Sequence, residues 1–107
     1  MSLPGFYWWQ LDWENEDGES KASTSPPKTI EIPPNKQVRA HAMLAAVGSQ
    51  NKHQGFGANC YISRYVQNGV VHDVTARLVD GTNITEIDLT LDVWQGSATG
   101  IVYVEVG

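Results

Sequence analysis

The densest set of ionisable side chains in the sequence is Arg64, Asp73, Arg77, Glu86 and Asp88, spread over three stretches of alternating polar and apolar residues. Two carboxylates beside an arginine can move protons, one as acid and one as base. On a solvated strand face the same residues are cross-strand ion pairs, each worth about 0.2–1 kcal/mol. A flat sheet face excludes water poorly, so these five read as structural pairs and no catalytic residue is assigned. His41, His53 and His72 lack the spacing that places two imidazoles on one metal. No GxSxG-like elbow presents a nucleophile. The acidic run Asp12–Gly18 can be laid on a calcium-loop pattern, but Trp13 and Thr24 then fall where Asp and Glu are needed. Neither a metal nor another cofactor is expected, and the protein reads as a non-enzyme. Asn83-Ile84-Thr85 fits a glycosylation sequon.

Cys60 is the only cysteine, which excludes an internal disulfide, a cysteine zinc cluster and a CxxC redox pair. It reads as a buried small hydrophobe, with an intermolecular bridge or a reactive thiol as the alternatives.

The aromatic residues carry more information. Four Trp among 107 residues exceed what one small core requires. In the first apolar stretch Tyr7, Trp9, Leu11 and Trp13 alternate with Phe6, Trp8 and Gln10, so one set can be core and the other must face outward. Trp94 shares the parity of the polar Glu86, Asp88, Thr90 and Asp92. An exposed Trp suits sugar stacking, a protein contact or the membrane interface, because an apolar ring carries a polar N–H. Trp8, Trp13, Trp94 and the loop residue Phe56 are therefore the candidate ligand contacts.

These side chains must be held by strands, since apolar spacing has period two nearly throughout. Seven strands are expected: Phe6–Trp13, Lys28–Ile32, Gln37–Val47, Ala58–Gln67, Val70–Val79, Asn83–Trp94 and Gly100–Val106. In the Ala-rich Gln37–Val47, Val38, Ala40, Ala42, Leu44 and Ala46 alternate on one side. Residues 14–27 form a long polar loop, and residues 1–4 read as an appended or unordered tail. Asn68-Gly69 is the strongest hairpin signal and places Arg64 opposite Asp73 and Tyr65 opposite His72. Taking Asp80-Gly81 as a second tight turn places Asp73 opposite Asp88. The resulting three-strand meander has one apolar face, holding Tyr61, Tyr65, His72, Val74, Ala76, Leu78, Ile87, Leu89 and Leu91. A sheet with one apolar face needs a second layer, so the expected fold is all-β, a single antiparallel β-sandwich domain of jelly-roll or Ig-like type.

The stretches KTIEIPPNKQVRAHA, AAVGSQNKHQGFGANCYI and WQGSATGIVYVEV resemble the aegerolysins. That resemblance covers about two-thirds of the chain by strand pattern. It implies a small acidic β-sandwich that binds membrane lipid through exposed aromatics and acts with larger partners in pore formation. The chain departs from the family in being shorter, and YVQNGVVHDVTARLV stands where an aromatic, cysteine-bearing segment belongs.

Charge and length set the remaining bounds. Twelve acidic against seven basic side chains give a net charge of −5, which disfavours nucleic acid and purely electrostatic attraction to anionic lipid. No apolar run reaches the roughly 20 residues of a membrane span. A chain of this size buries about two-thirds of its unfolded surface and needs no staple to fold. The N-terminus shows no signal peptide, and an exposed aromatic surface favours an extracellular or cell-surface setting. The expected function is a lectin-like, non-catalytic module that recognises a carbohydrate or a membrane-lipid headgroup, with peripheral membrane contact and self-association as further expectations. The alternative is a structural or assembly subunit, a toxin component or a virion or tail protein, with its aromatic first strand buried between chains.

Overall fold

In a computed structural model, which describes residues 5–15, 22–48, 57–94 and 96–107, every regular element is a strand. Nine strands are present among the described residues: β1 (Gly5–Asn15), β2 (Ser23–Thr24), β3 (Lys28–Glu31), β4 (Gln37–Gly48), β5 (Ala58–Gln67), β6 (Val70–Ala76), β7 (Leu78–Thr82), β8 (Ile84–Val93) and β9 (Gly96–Val106). Two more than the expected seven arise because Val70–Val79 divides into β6 and β7, and because Ser23–Thr24 in the polar stretch pairs with β8. Among the described residues no helix is long and apolar enough to cross a membrane.

The pairing is nested. β5 pairs with β6, β4 with β7, β3 with β8 and β1 with β9, all antiparallel, like one long hairpin whose tip is the β5–β6 turn. Folding that hairpin over brings β9 against β4 and β8 against β5. One sheet (sheet A) therefore runs β1-β9-β4-β7 and the other (sheet B) β2-β8-β5-β6, with β3 following β2 along the same edge of β8. This order is that of the eight-stranded jelly roll with one strand interrupted, not that of an Ig sandwich.

The tip is the predicted hairpin. Asn68 and Gly69 both have positive φ, 52° and 76°, as a two-residue turn matched to strand twist requires. Arg64 faces Asp73 and Tyr65 faces His72, stacked at 4.7 Å. The second expected turn is corrected. Asp80 and Gly81 lie within β7, opposite Arg39 and Val38, in the other sheet. Gly81 does not have positive φ, and its missing side chain leaves room for the Gln67 amide. The chain instead turns at Asn83, with φ 63°, whose side chain accepts from Asn35 N–H and donates to Asn68. That amide, the sequon's acceptor, is engaged by these two hydrogen bonds at the surface.

The meander is corrected in turn. β5, not β6, is its central strand, so Arg64 stands between Asp73 and Asp88 and the two carboxylates do not face each other. A bulge at Ser63 shifts the alternation by one residue. Tyr61 consequently points outward to Asp92, whereas Tyr65 packs on the core. Leu78, expected inside, is exposed on sheet A. A second bulge, at Ala45, leaves Ala46 exposed and ends the inward run of β4 after Leu44.

The core is asymmetric. Sheet A contributes the small Val38, Ala40, Ala42, Ala98, Val102 and Val104, and sheet B the larger Ile62, Ile87, Leu89 and Leu91. At Gly100 the approach is closest: a Cβ there would stand 2.5 Å from Cys60 Sγ. Cys60 is buried, as expected of a small hydrophobe, and desolvation pushes its thiol up to about 11. Polar links close the open side of the sandwich. Lys28 Nζ donates to Gln10 O at 2.9 Å, Trp13 Nε1 to Ser23 Oγ at 3.1 Å, and Asn15 Nδ2 to Val93 O at 3.0 Å.

Candidate functional site

The two outer sheet faces differ in how far their polar groups satisfy one another. On sheet B, Arg64 contacts Glu86 at 3.5 Å and Asp88 at 3.6 Å. Asp88 is buried and also accepts from Thr29 Oγ1 at 2.7 Å. Ser63 and Thr90 share a hydrogen bond of 2.8 Å, and Asp92 accepts from Thr24 and Tyr61. Burial, and then the adjacent Asp92 charge, raise the Tyr61 phenol above its ordinary value. Of the five residues read as structural pairs, Arg64, Glu86 and Asp88 form the network. Asp73 faces Arg64 in register without an ion pair among the described residues. Arg77 leaves the cluster, because it sits where the chain crosses between sheets, and donates to Asn59 Oδ1 at 2.9 Å. This face spends its hydrogen-bonding groups on itself.

The outer face of sheet A is different. Strict alternation in β1 turns Trp9, Leu11 and Trp13 to the core and Phe6 and Trp8 outward, the latter two 62% and 59% exposed. The ladder register then lays out rows across the sheet. Phe6, Glu105, Arg39 and Asp80 form one row, and Trp8, Tyr103, His41 and Leu78 the next. Gln10, Ile101 and Met43 follow, then Asp12, Thr99 and Ala46, then Glu14, Ser97 and Gly48. Neighbouring strands lie about 4.8 Å apart and like-facing residues about 6.8 Å apart along a strand, so the first two rows place aromatic rings within stacking reach. Phe6 and Tyr103 have ring centroids 5.6 Å apart. The Trp8 indole N–H makes no hydrogen bond to any described residue.

Beyond the aromatic rows the face turns polar. Asp12 accepts from Thr99 Oγ1 at 2.6 Å and from Gln10 Nε2 at 3.3 Å. Small residues of β4, Ala46 and Gly48, replace the larger His41 and Met43 of the preceding rows. A cavity of about 670 Å³ opens there, bordered by Asp12, Trp13, Glu14, Ser23, Ser97 and Thr99 among others.

Of the four candidate contacts, Trp8 lies on the edge strand of sheet A, at the end of the row it shares with Tyr103 and His41. Trp13 is on the opposite face of the same strand, half-buried and held by Ser23, though it borders the cavity. Trp94, 41% exposed, directly follows β8 beside Gly57, whose carbonyl accepts the Trp94 N–H, and so stands at the end of sheet B. Phe56 lies outside the described residues, as do His53 and residues 16–18 of the acidic run laid on the calcium pattern. Tyr103 and the Asp12–Thr99 pair were missed by the sequence reading. The signal for Tyr103 was its parity opposite Val102, Val104 and Val106 in the last strand.

The class is a jelly-roll β-sandwich with an exposed aromatic sheet face. Compared with family models, with curated proteins and with solved structures, the chain finds no match.

Proposed function

We propose that this protein is a non-catalytic binding module that takes a carbohydrate on the outer face of sheet A. The observation that carries the reading is the pair of adjoining rows in which Phe6 and Trp8 stand exposed, with the half-buried Tyr103, beside the polar Gln10, Asp12 and Thr99. A sugar ring has an apolar C–H face and a rim of hydroxyls, which need an apolar plate with hydrogen-bonding groups alongside. Aromatic plates supply the first with little loss of rotamer freedom, and the carboxylate, amide and hydroxyl supply the second. The saturated network on sheet B supports the same assignment, since it has few groups left to offer a ligand.

Trp8→Ala is expected to weaken glycan binding about tenfold or more, the loss expected for an aromatic hot-spot contact. The folded state should be little changed, because Trp8 stands outside the core. Trp9→Ala should do the reverse, costing about 1–3 kcal/mol of stability at a half-buried site. Affinity electrophoresis against soluble polysaccharides, with thermal melts of both variants, checks the pair. Binding that survives Trp8→Ala, or appears only with liposomes in flotation, would end the carbohydrate reading.

A second reading rests on the aliphatic neighbours of the strip. Ile101, Met43 and the exposed Leu78 extend the apolar surface beyond what a sugar needs, and a second copy covering them would make this chain an assembly subunit. Light scattering at micromolar concentration separates the two: a stable oligomer with Trp8 shielded from acrylamide quenching favours assembly.

A further inference from the structure

We propose that β1 pairs with β1 of a second copy along its free edge, in an antiparallel ladder centred on Tyr7. β1 is an edge strand of sheet A, and the alternation of hydrogen bonds shows which groups that edge offers. Gln37 and Gly107 exchange both backbone hydrogen bonds, at 3.2 and 2.9 Å. Glu105 and Tyr103 therefore also bond to β4, and the residues between them, Val106, Val104 and Val102, bond to β1. Gly5, Tyr7 and Trp9, opposite those valines, spend their backbone groups on β9. The N–H and C=O of Phe6, Trp8 and Gln10 point away from the sheet. Those of Phe6 and Trp8 have no partner among the described residues.

Lys28 fixes how far a second strand can run. Its Nζ occupies Gln10 O at 2.9 Å, and further along Trp13 and Asn15 are tied to Ser23 and Val93. The open edge is thus residues 5–9. Within it Phe6, Tyr7 and Trp8 are 62%, 50% and 59% exposed in succession. Alternation alone exposes every second residue, so three in a row mean that the strand is uncovered on both faces as well as at its edge. Such an apolar edge, with no charged side chain of its own, is a template for another strand.

A second copy suits this edge because the ladder is self-complementary. One register covers residues 5–9 of both strands: Tyr7 opposite Tyr7, Phe6 opposite Trp8 and Gly5 opposite Trp9. Each Phe6–Trp8 pair then closes both of its backbone hydrogen bonds and meets as an aromatic cross-strand pair on the outer face. The two Tyr7 rings meet on the inner face, beside a cavity of about 250 Å³ bordered by Tyr7, Trp9, Ile32 and Pro33 among others. Asp12 and Glu14 fall beyond the ladder, so two copies of net charge −5 pair without opposing carboxylates. The outer faces stay open. Phe6 of the second copy continues the row of Trp8 and Tyr103, so a glycan would meet a plate built from both copies, a consequence that rests on the carbohydrate reading above.

Sedimentation velocity of the full chain across the micromolar range should show a monomer–dimer equilibrium. Tyr7→Lys and Tyr7→Glu each set like charges at the two-fold axis and should weaken dimerisation about tenfold or more. An equimolar mixture of the two should dimerise again, and circular dichroism of each should keep the strand signature. Under mild oxidation Tyr7→Cys should form a disulfide-linked dimer, since opposite Cα atoms of a non-hydrogen-bonded pair stand about 4.5 Å apart. Gln10→Cys should not. A chain that stays monomeric, which leaves the edge to a strand of another protein, overturns the proposal. So does a dimer that survives both charged variants, as stacking of the two outer faces would give, or one that cross-links at Gln10 and not at Tyr7. Each of these results leaves the carbohydrate reading standing, because binding on the outer face needs no second copy.

Discussion

At the scale of single residues, the contact between Gly100 and Cys60 shows how closely the two sheets meet. A Cβ at position 100 would also stand 3.2 Å from Leu91, so the clash has no free side to relax into. Gly100→Ala should destabilise by about 1–3 kcal/mol. Cys60→Ala, which removes the sulfur, should recover part of that loss, and denaturant melts of the single and double variants measure the coupling. The same burial makes stability depend on alkaline pH. The Cys60 thiol has an ordinary value of 9.0 and a folded value of about 11, so above pH 9 the unfolded chain holds fewer protons than the folded one. Stability falls as pH rises from about 9 to 11, and the raised Tyr61 phenol extends the fall at the upper end. Denaturant melts across that window should show a shallower slope in Cys60→Ala. Burial of Cys60 was legible from residue type, whereas parity alone left open which face of the first strand, that of Trp8 or that of Trp13, turns outward. Arg77 was not legible, because its partner depends on where the chain leaves the sheet, which no local pattern encodes.

At the scale of elements, two dipeptides that look alike behave differently. Asn-Gly at 68–69 closes the β5–β6 hairpin with both residues at positive φ. Asp-Gly at 80–81 stays extended within β7, because Val79 must reach the core opposite Ala40. Gly69→Val has open space around it but an unfavourable φ of 76°, and should cost about 1–2 kcal/mol in a thermal melt. Gly81→Val would meet first the movable end of the Gln67 side chain and should cost less than Gly69→Val in the same melt. Strand positions were legible because period-two alternation holds over most of each long strand. The bulges at Ser63 and Ala45 were not, since each adds one residue without a change in composition, and each reversed the face assigned to its neighbours, Tyr61 and Ala46. β2 escaped notice because two residues cannot show a period.

At the scale of the whole molecule, nested pairing decides which strands share a face, and so which residues share a surface. Phe6 and Tyr103 are nearly a hundred residues apart in sequence, yet the β1–β9 pairing brings their rings into contact. An all-β sandwich was readable from the chain, but the partner of each strand was not, because register across non-local pairs is written in side-chain complementarity rather than spacing. For that reason the aromatic first strand was foreseen as an outward patch, while the rest of its platform, on β9 and β4, emerged only from the fold. The proposed ligand lies on the outer face of sheet A. Amide chemical-shift mapping of the full chain during titration with a bound oligosaccharide tests it most directly. Perturbations should cluster at Phe6, Trp8, Gln10, Asp12, Thr99 and Tyr103. A cluster on the opposite sheet, around Tyr61, Arg64, Asp92 or Trp94, would contradict it.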